Sequence, residues 1–144
     1  MIDLTGSTVL ELREAAANWP APFTDYVVRG GELQPEDTPK SGKAPQAIVV
    51  VRGHPLRRRR LPMATYPFTL RIYHPDPRQV AALAGLVSDA FHDRGCRVRR
   101  SGGKRLGAYN SADVGGSGSL LEPETKWPLE LVTVEITAPT IALG

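Results

Sequence analysis

Two rhythms of hydrophobic and polar residues run through this chain. Val9, Leu12, Ala16 and Trp19 recur at helical spacing, and Pro20 ends the run. Thr8-Val9-Leu10-Glu11 reads as a capping box, in which the hydroxyl accepts a free backbone N–H and the glutamate reaches back. Together these predict a helix over about residues 8–18. Tyr26-Val27-Val28-Arg29 predicts a short strand. Ala47-Ile48-Val49-Val50-Val51-Arg52 is an almost unbroken β-branched run, the pattern of a strand covered on both faces. From Tyr66 to Tyr73 the chain alternates, with Phe68, Leu70 and Ile72 on one face and Thr69, Arg71 and Tyr73 on the other.

Asp76-Pro77 opens the clearest helix. Aspartate is a good N-cap, and proline at the first helical position lacks only an N–H that would have had no partner. Val80, Leu83, Ala84, Val87, Ala90 and Phe91 form one apolar stripe, and Gly95 suits a left-handed cap. Cys96 to Arg100 reads as an edge strand. Residues 101–128 read as a long Gly- and Ser-rich stretch with a weak strand near Ser119 to Leu121. Glu130 to Ala138 alternates again, with Val132, Val134 and Ile136 inward.

This order predicts an α/β (α+β) fold. One mostly antiparallel β-sheet carries two helices packed on one face, joined by long Gly/Pro-rich loops. The 13 prolines and 14 glycines gather in residues 30–46, 53–67 and 101–128. Excursions beyond about 15 residues are functional or disordered in most domains, and a neighbouring subunit is the simplest support for them.

The 144 residues fit one domain. Apolar runs fall far short of the roughly 20 residues of a spanning helix, and the N-terminus lacks the pattern of a secretory signal. Neither reading calls for a membrane. A single cysteine, Cys96, excludes an internal disulfide. Charge is segregated. Residues 1–40 hold seven acids and three bases, residues 41–105 fourteen bases and three acids, and residues 106–144 five acids and one base. A basic middle between acidic ends suits an anionic partner or the oppositely charged face of another copy.

Candidate chemistry is sparse. Asp89, His92 and Asp93 share a helical face, but no second cluster has metal-ligand spacing, so a polar outer face is the expectation and no metal is assigned. Cys96 with His74 or His92 as base is set below a small buried cysteine. Gly42-Lys43 and Gly102-Gly103-Lys104 lack phosphate-loop spacing and the hydroxyl after the lysine. No catalytic residue and no cofactor is expected, and the chain is not read as an enzyme. The strongest signal is basic. Arg57-Arg58-Arg59-Arg60 lies in an acid-free stretch, and Arg97, Arg99 and Arg100 lie in a second. Such runs suit phosphate or an acidic protein face. No aromatic residues interleave with them, so base stacking is not indicated.

Residues 47–98 resemble a known family. Ile48-Val49-Val50-Val51 leads into a hairpin, and Phe68-Thr69-Leu70-Arg71-Ile72-Tyr73 ends in the turn His74-Pro75-Asp76-Pro77. The Ala- and Leu-rich helix Val80 to Phe91 follows. With the N-terminal helix, this resembles the tail terminator (tail completion) proteins of long-tailed phages, which implies one such domain over residues 1–144. The resemblance implies a virion structural subunit made in the host cytoplasm and placed in the neck. It would form a ring of six copies that caps the tail tube and offers the head-joining surface. The implied partners are further copies of itself, the tail tube protein, a head-completion or connector protein, the tape measure protein, and DNA passing through the lumen. Arg57 to Arg60, Arg97, Arg99 and Arg100 are the candidate assembly or DNA-lumen contacts. Two alternatives stay open, another phage neck or head–tail connector subunit and a small basic nucleic-acid-binding domain.

Overall fold

A computed structural model describes residues 4–53, 57–58, 63–94 and 112–139. Helix α1 spans Leu4–Ala16 and α2 spans Pro77–Arg94. The strands are β1 (Val27–Gly30), β2 (Ala47–Arg52), β3 (Arg57–Arg58), β4 (Met63–Tyr73), β5 (Ala112–Leu121) and β6 (Pro128–Pro139). They form one sheet in the order β1-β2-β4-β6-β5, with β3 also paired to β4. Among the described strands only the β1–β2 pair is parallel. The expected architecture is therefore present, an α+β fold with a mostly antiparallel sheet.

Register explains which residues are buried. Ile48 faces Ile72, Val50 faces Leu70, Leu70 faces Val132 and Phe68 faces Val134, so one face of the sheet is continuously apolar. Both helices cover that face, α1 over β1 and β2, α2 over β4, β5 and β6. Leu4, Val9, Leu12 and Ala16 of α1 meet Leu83, Ala84, Val87 and Phe91 of α2 in a single core with the sheet.

Several boundaries differ from the sequence expectation. Helix α1 begins at Leu4, so Thr8 lies within it and is not its cap. The Thr8 hydroxyl donates to the Leu4 carbonyl at 2.8 Å, the back-bonding available to a threonine inside a helix. Strand β5 is ten residues long where the Gly-Ser stretch suggested a weak strand of about three. It is held by antiparallel pairing to β6 and bulges between Val114 and Ser117. Residues 30–46 are not a free loop. They contain a single 3-10 turn at Pro35–Asp37 and cross the second face of the sheet, where a smaller core gathers Val49, Tyr73 and Leu129 with Leu33, Trp127 and Leu131. The β2 run is covered on both faces for its first four residues, while Val51 and Arg52 are exposed. The start of α2 matches its reading, since Asp76 Oδ1 accepts the Arg78 N–H at 3.0 Å.

Candidate assembly surface

Two features stand at different places on this sheet. The first is a basic arm. Strand β4 outruns β2, which pairs with it only from Tyr73 down to Phe68. Beyond that point β3 takes over the row, with Arg57 opposite Thr65 and Arg58 opposite Ala64. On the other side β6 accompanies β4 as far as the pairing of Met63 with Pro139. The handover occurs at Gly53, whose N–H donates to the Pro67 carbonyl at 2.8 Å. A Cβ on Gly53 would sit 2.9 Å from Pro67 Cγ, so only glycine allows this approach. At the root of the arm the Arg52 guanidinium lies 5.8 Å from the centre of the Tyr66 ring, within cation–π range. The arginine run is thus partly strand rather than loop. Arg59, Arg60, Arg97, Arg99 and Arg100, and the predicted strand at Cys96 to Arg100, lie outside the described residues.

The second feature is the β1 edge. Val27 and Gly31 donate to Gln46 and Val50 carbonyls on the β2 side. The intervening phase, Val28 and Gly30, therefore turns its N–H and C=O groups away from β2. The Val28 carbonyl accepts from Arg13 Nη2 at 2.8 Å. Between the end of α1 and this edge runs a groove of about 470 Å³, lined in part by Arg13, Trp19, Asp25, Tyr26 and Arg29. Trp19 and Tyr26 meet edge to face at 5.9 Å.

The charges along this edge are unequal. Arg29 is satisfied by a forked pair with Asp37, at 2.9 and 3.0 Å, while Glu36 stands at 3.9 Å. The Arg29 hydrogen bond holds the Asp37 carboxyl below the usual carboxylate range, and the Gln34 N–H adds to the effect. Asp25 and Glu32 are exposed and have no ion pair among the described residues. Asp25 also takes a left-handed backbone with φ of 60°, a conformation that aspartate tolerates better than most residues.

His74 was weighed as a base, and its surroundings are structural. It is buried, its Nδ1 accepts the Asp76 N–H at 2.9 Å, and it packs between Phe23 and Tyr26. The Tyr26 hydroxyl donates to the Tyr73 carbonyl at 2.9 Å, and burial pushes its pKa upward. The strand expected at Tyr26 to Arg29 is present, shifted by one residue, but sequence reasoning did not place it at the edge of the sheet. Its signal is faint, a four-residue strand preceded by Thr24-Asp25 and followed by Gly30-Gly31. Among the described residues no helix is long and apolar enough to cross a membrane. No protein-family model matches the chain, and no curated protein matches it in sequence.

Proposed function

We propose that this protein is a structural subunit of a phage neck, a tail terminator that closes into a ring on the last layer of the tail tube. The observation that supports this reading best is an open sheet with two unlike ends. Among the described residues no strand pairs with the outer side of β1 or of β5, and the flank beside β1 is acidic while the β3–β4 arm is basic. Head-to-tail association needs two different, complementary faces on each copy, and closure of that association gives a ring. In this reading the partners are further copies of the chain, the tube protein below and a connector protein above. The tape measure protein and DNA share the lumen. No catalysis, cofactor or membrane takes part.

The test is particle mass across protein concentration, with negative-stain images, for the protein alone and with assembled tail tubes. Closed rings, free or seated on tube ends, are the expected result. Single subunits in both settings would refute the proposal. The acid-free arm supports a second reading, a small basic nucleic-acid-binding domain. That reading requires duplex affinity that falls steeply with salt, by about one power per phosphate contacted.

A further inference from the structure

We infer that the β1 edge is a docking site for an extended, cationic peptide segment of a partner protein, which adds to the sheet as a further strand. The site is independent of the ring and consists of the edge and its groove alone. Parallel pairing with β2 takes up the N–H and C=O groups of Val27 and Arg29, so those of Val28 and Gly30 face outward. Among the described residues only the Val28 carbonyl of that outward set is engaged, by Arg13 Nη2 at 2.8 Å. A guanidinium on a flexible stem can yield this acceptor to an incoming backbone N–H. Beside the edge lies the groove of about 470 Å³, within the roughly 300–1,000 Å³ of ordinary ligand clefts. Trp19 and Tyr26 give it an aromatic wall, and the exposed Asp25 also lines it.

Charge selects the occupant. Arg29 is already matched by its forked pair with Asp37. Asp25, just before β1, and Glu32, just after it, are exposed and have no ion pair among the described residues. The Glu36 side chain is 69% exposed and 3.9 Å from Arg29. Along the edge these three carboxylates stand against the guanidinium of Arg13, a balance that favours a cationic strand. The same balance repels phosphate. It also opposes the β1 edge of a second copy, where like charges would meet across the new pair. Strand addition draws affinity from backbone hydrogen bonds and specificity from alternate side chains. Apolar side chains of the added strand reach the groove at Trp19 and Tyr26, and its cationic side chains meet Asp25 and Glu32 at the two ends of β1.

The experiment uses the full chain and a short fluorescent peptide of alternating lysine and valine, with binding read by anisotropy. One control peptide carries glutamate in place of lysine. Another keeps the lysines but has its backbone amides N-methylated, which preserves the charge and removes the donors. The expected result is saturable binding of the lysine peptide, none of the glutamate peptide, and binding at least about tenfold weaker after N-methylation. Amide hydrogen exchange at Val28 and Gly30 should slow in the complex. Asp25→Asn with Glu32→Gln should weaken binding about tenfold and leave the urea midpoint in place. Asparagine also tolerates the left-handed backbone of position 25, where φ is 60°. Failure of the lysine peptide to bind would overturn the inference. Equal binding of the N-methylated peptide, with exchange at Val28 and Gly30 unchanged, would reduce the contact to charge and overturn strand addition. Full affinity in the double variant would overturn the choice of a cationic partner.

Discussion

Trp127 closes the second face of the sheet, and its removal should loosen residues 31–46 more than the rest of the molecule. Its indole N–H donates to the Gly42 carbonyl at 3.0 Å, and its ring meets Tyr73 edge on at 6.0 Å. A fully buried aromatic truncated to alanine costs about 3–5 kcal/mol. Trp127 is half-buried, so Trp127→Ala should cost about 2 kcal/mol, counting the lost hydrogen bond. Trp127→Phe keeps the ring contact and removes the donor alone, for about 1 kcal/mol. If the loss is local, 2 kcal/mol raises the open population of the segment roughly thirtyfold. Trypsin reads this directly at Lys40 and Lys43, both exposed and flanking Gly42. Cleavage there should accelerate strongly in Trp127→Ala and modestly in Trp127→Phe, while urea midpoints shift in the same order. Unchanged cleavage in Trp127→Ala would refute the idea that this side chain fastens the segment. Faster cleavage throughout the chain would place the loss in the whole fold instead.

Other consequences can be measured as directly. The Asp37 carboxyl is depressed in the folded protein, so its contribution is fully present above the ordinary carboxylate pKa of about 4 and is lost as pH falls through the lower folded value. Acid titration should therefore release the 3-10 turn only at low pH, and Asp37→Asn should flatten that part of the stability profile. Gly53→Ala forces a Cβ to 2.9 Å from Pro67 and should destabilise by about 1–3 kcal/mol in chemical denaturation, with the loss centred on the arm. Phe68→Ala empties the middle of the main core and should cost about 3–5 kcal/mol. Replacing Arg57 to Arg60 together with serine should leave the melting temperature within a few degrees of wild type yet abolish ring formation or head joining. Normal phage assembly with that variant would count against the proposed role.

The sequence was most legible where side chains carry the structure. Strand β4 and strand β6 alternate because one face of each is buried, and the α2 stripe of Val80, Leu83, Ala84, Val87 and Phe91 is buried as its spacing implies. The Asp76-Pro77 start was readable because it is a backbone requirement met by two residue types. Strand β5 was not, because Gly115-Gly116-Ser117-Gly118-Ser119 has no apolar rhythm and becomes a strand only through pairing with β6. Thr8 and Glu11 misled because the capping-box spacing also occurs inside a helix, where the hydroxyl bonds backward. The strap over the second face depends on Leu33 and Trp127, lone apolar residues far apart in the chain that no periodicity connects. Of the candidate site, the arginine run was visible as charge. The pairing of Arg57 and Arg58 with β4, and the acidic edge at β1, required the topology.

The central position of β4 has a consequence for how this protein is made. Its partner along its whole length is β6, the last of the described strands, and β6 is also the support of β5. While the chain is still being synthesised, β4 can pair only with β2 and β3, and its other side stays bare until Pro128–Pro139 has emerged. A sheet closed by its last strand folds late and all at once, since distant pairings must be joined before they stabilise one another. The sheet therefore gains its finished shape only after β6 has emerged. Chains interrupted before β6 lack the strand that joins β5 to the rest of the sheet and should be cleared rather than stored.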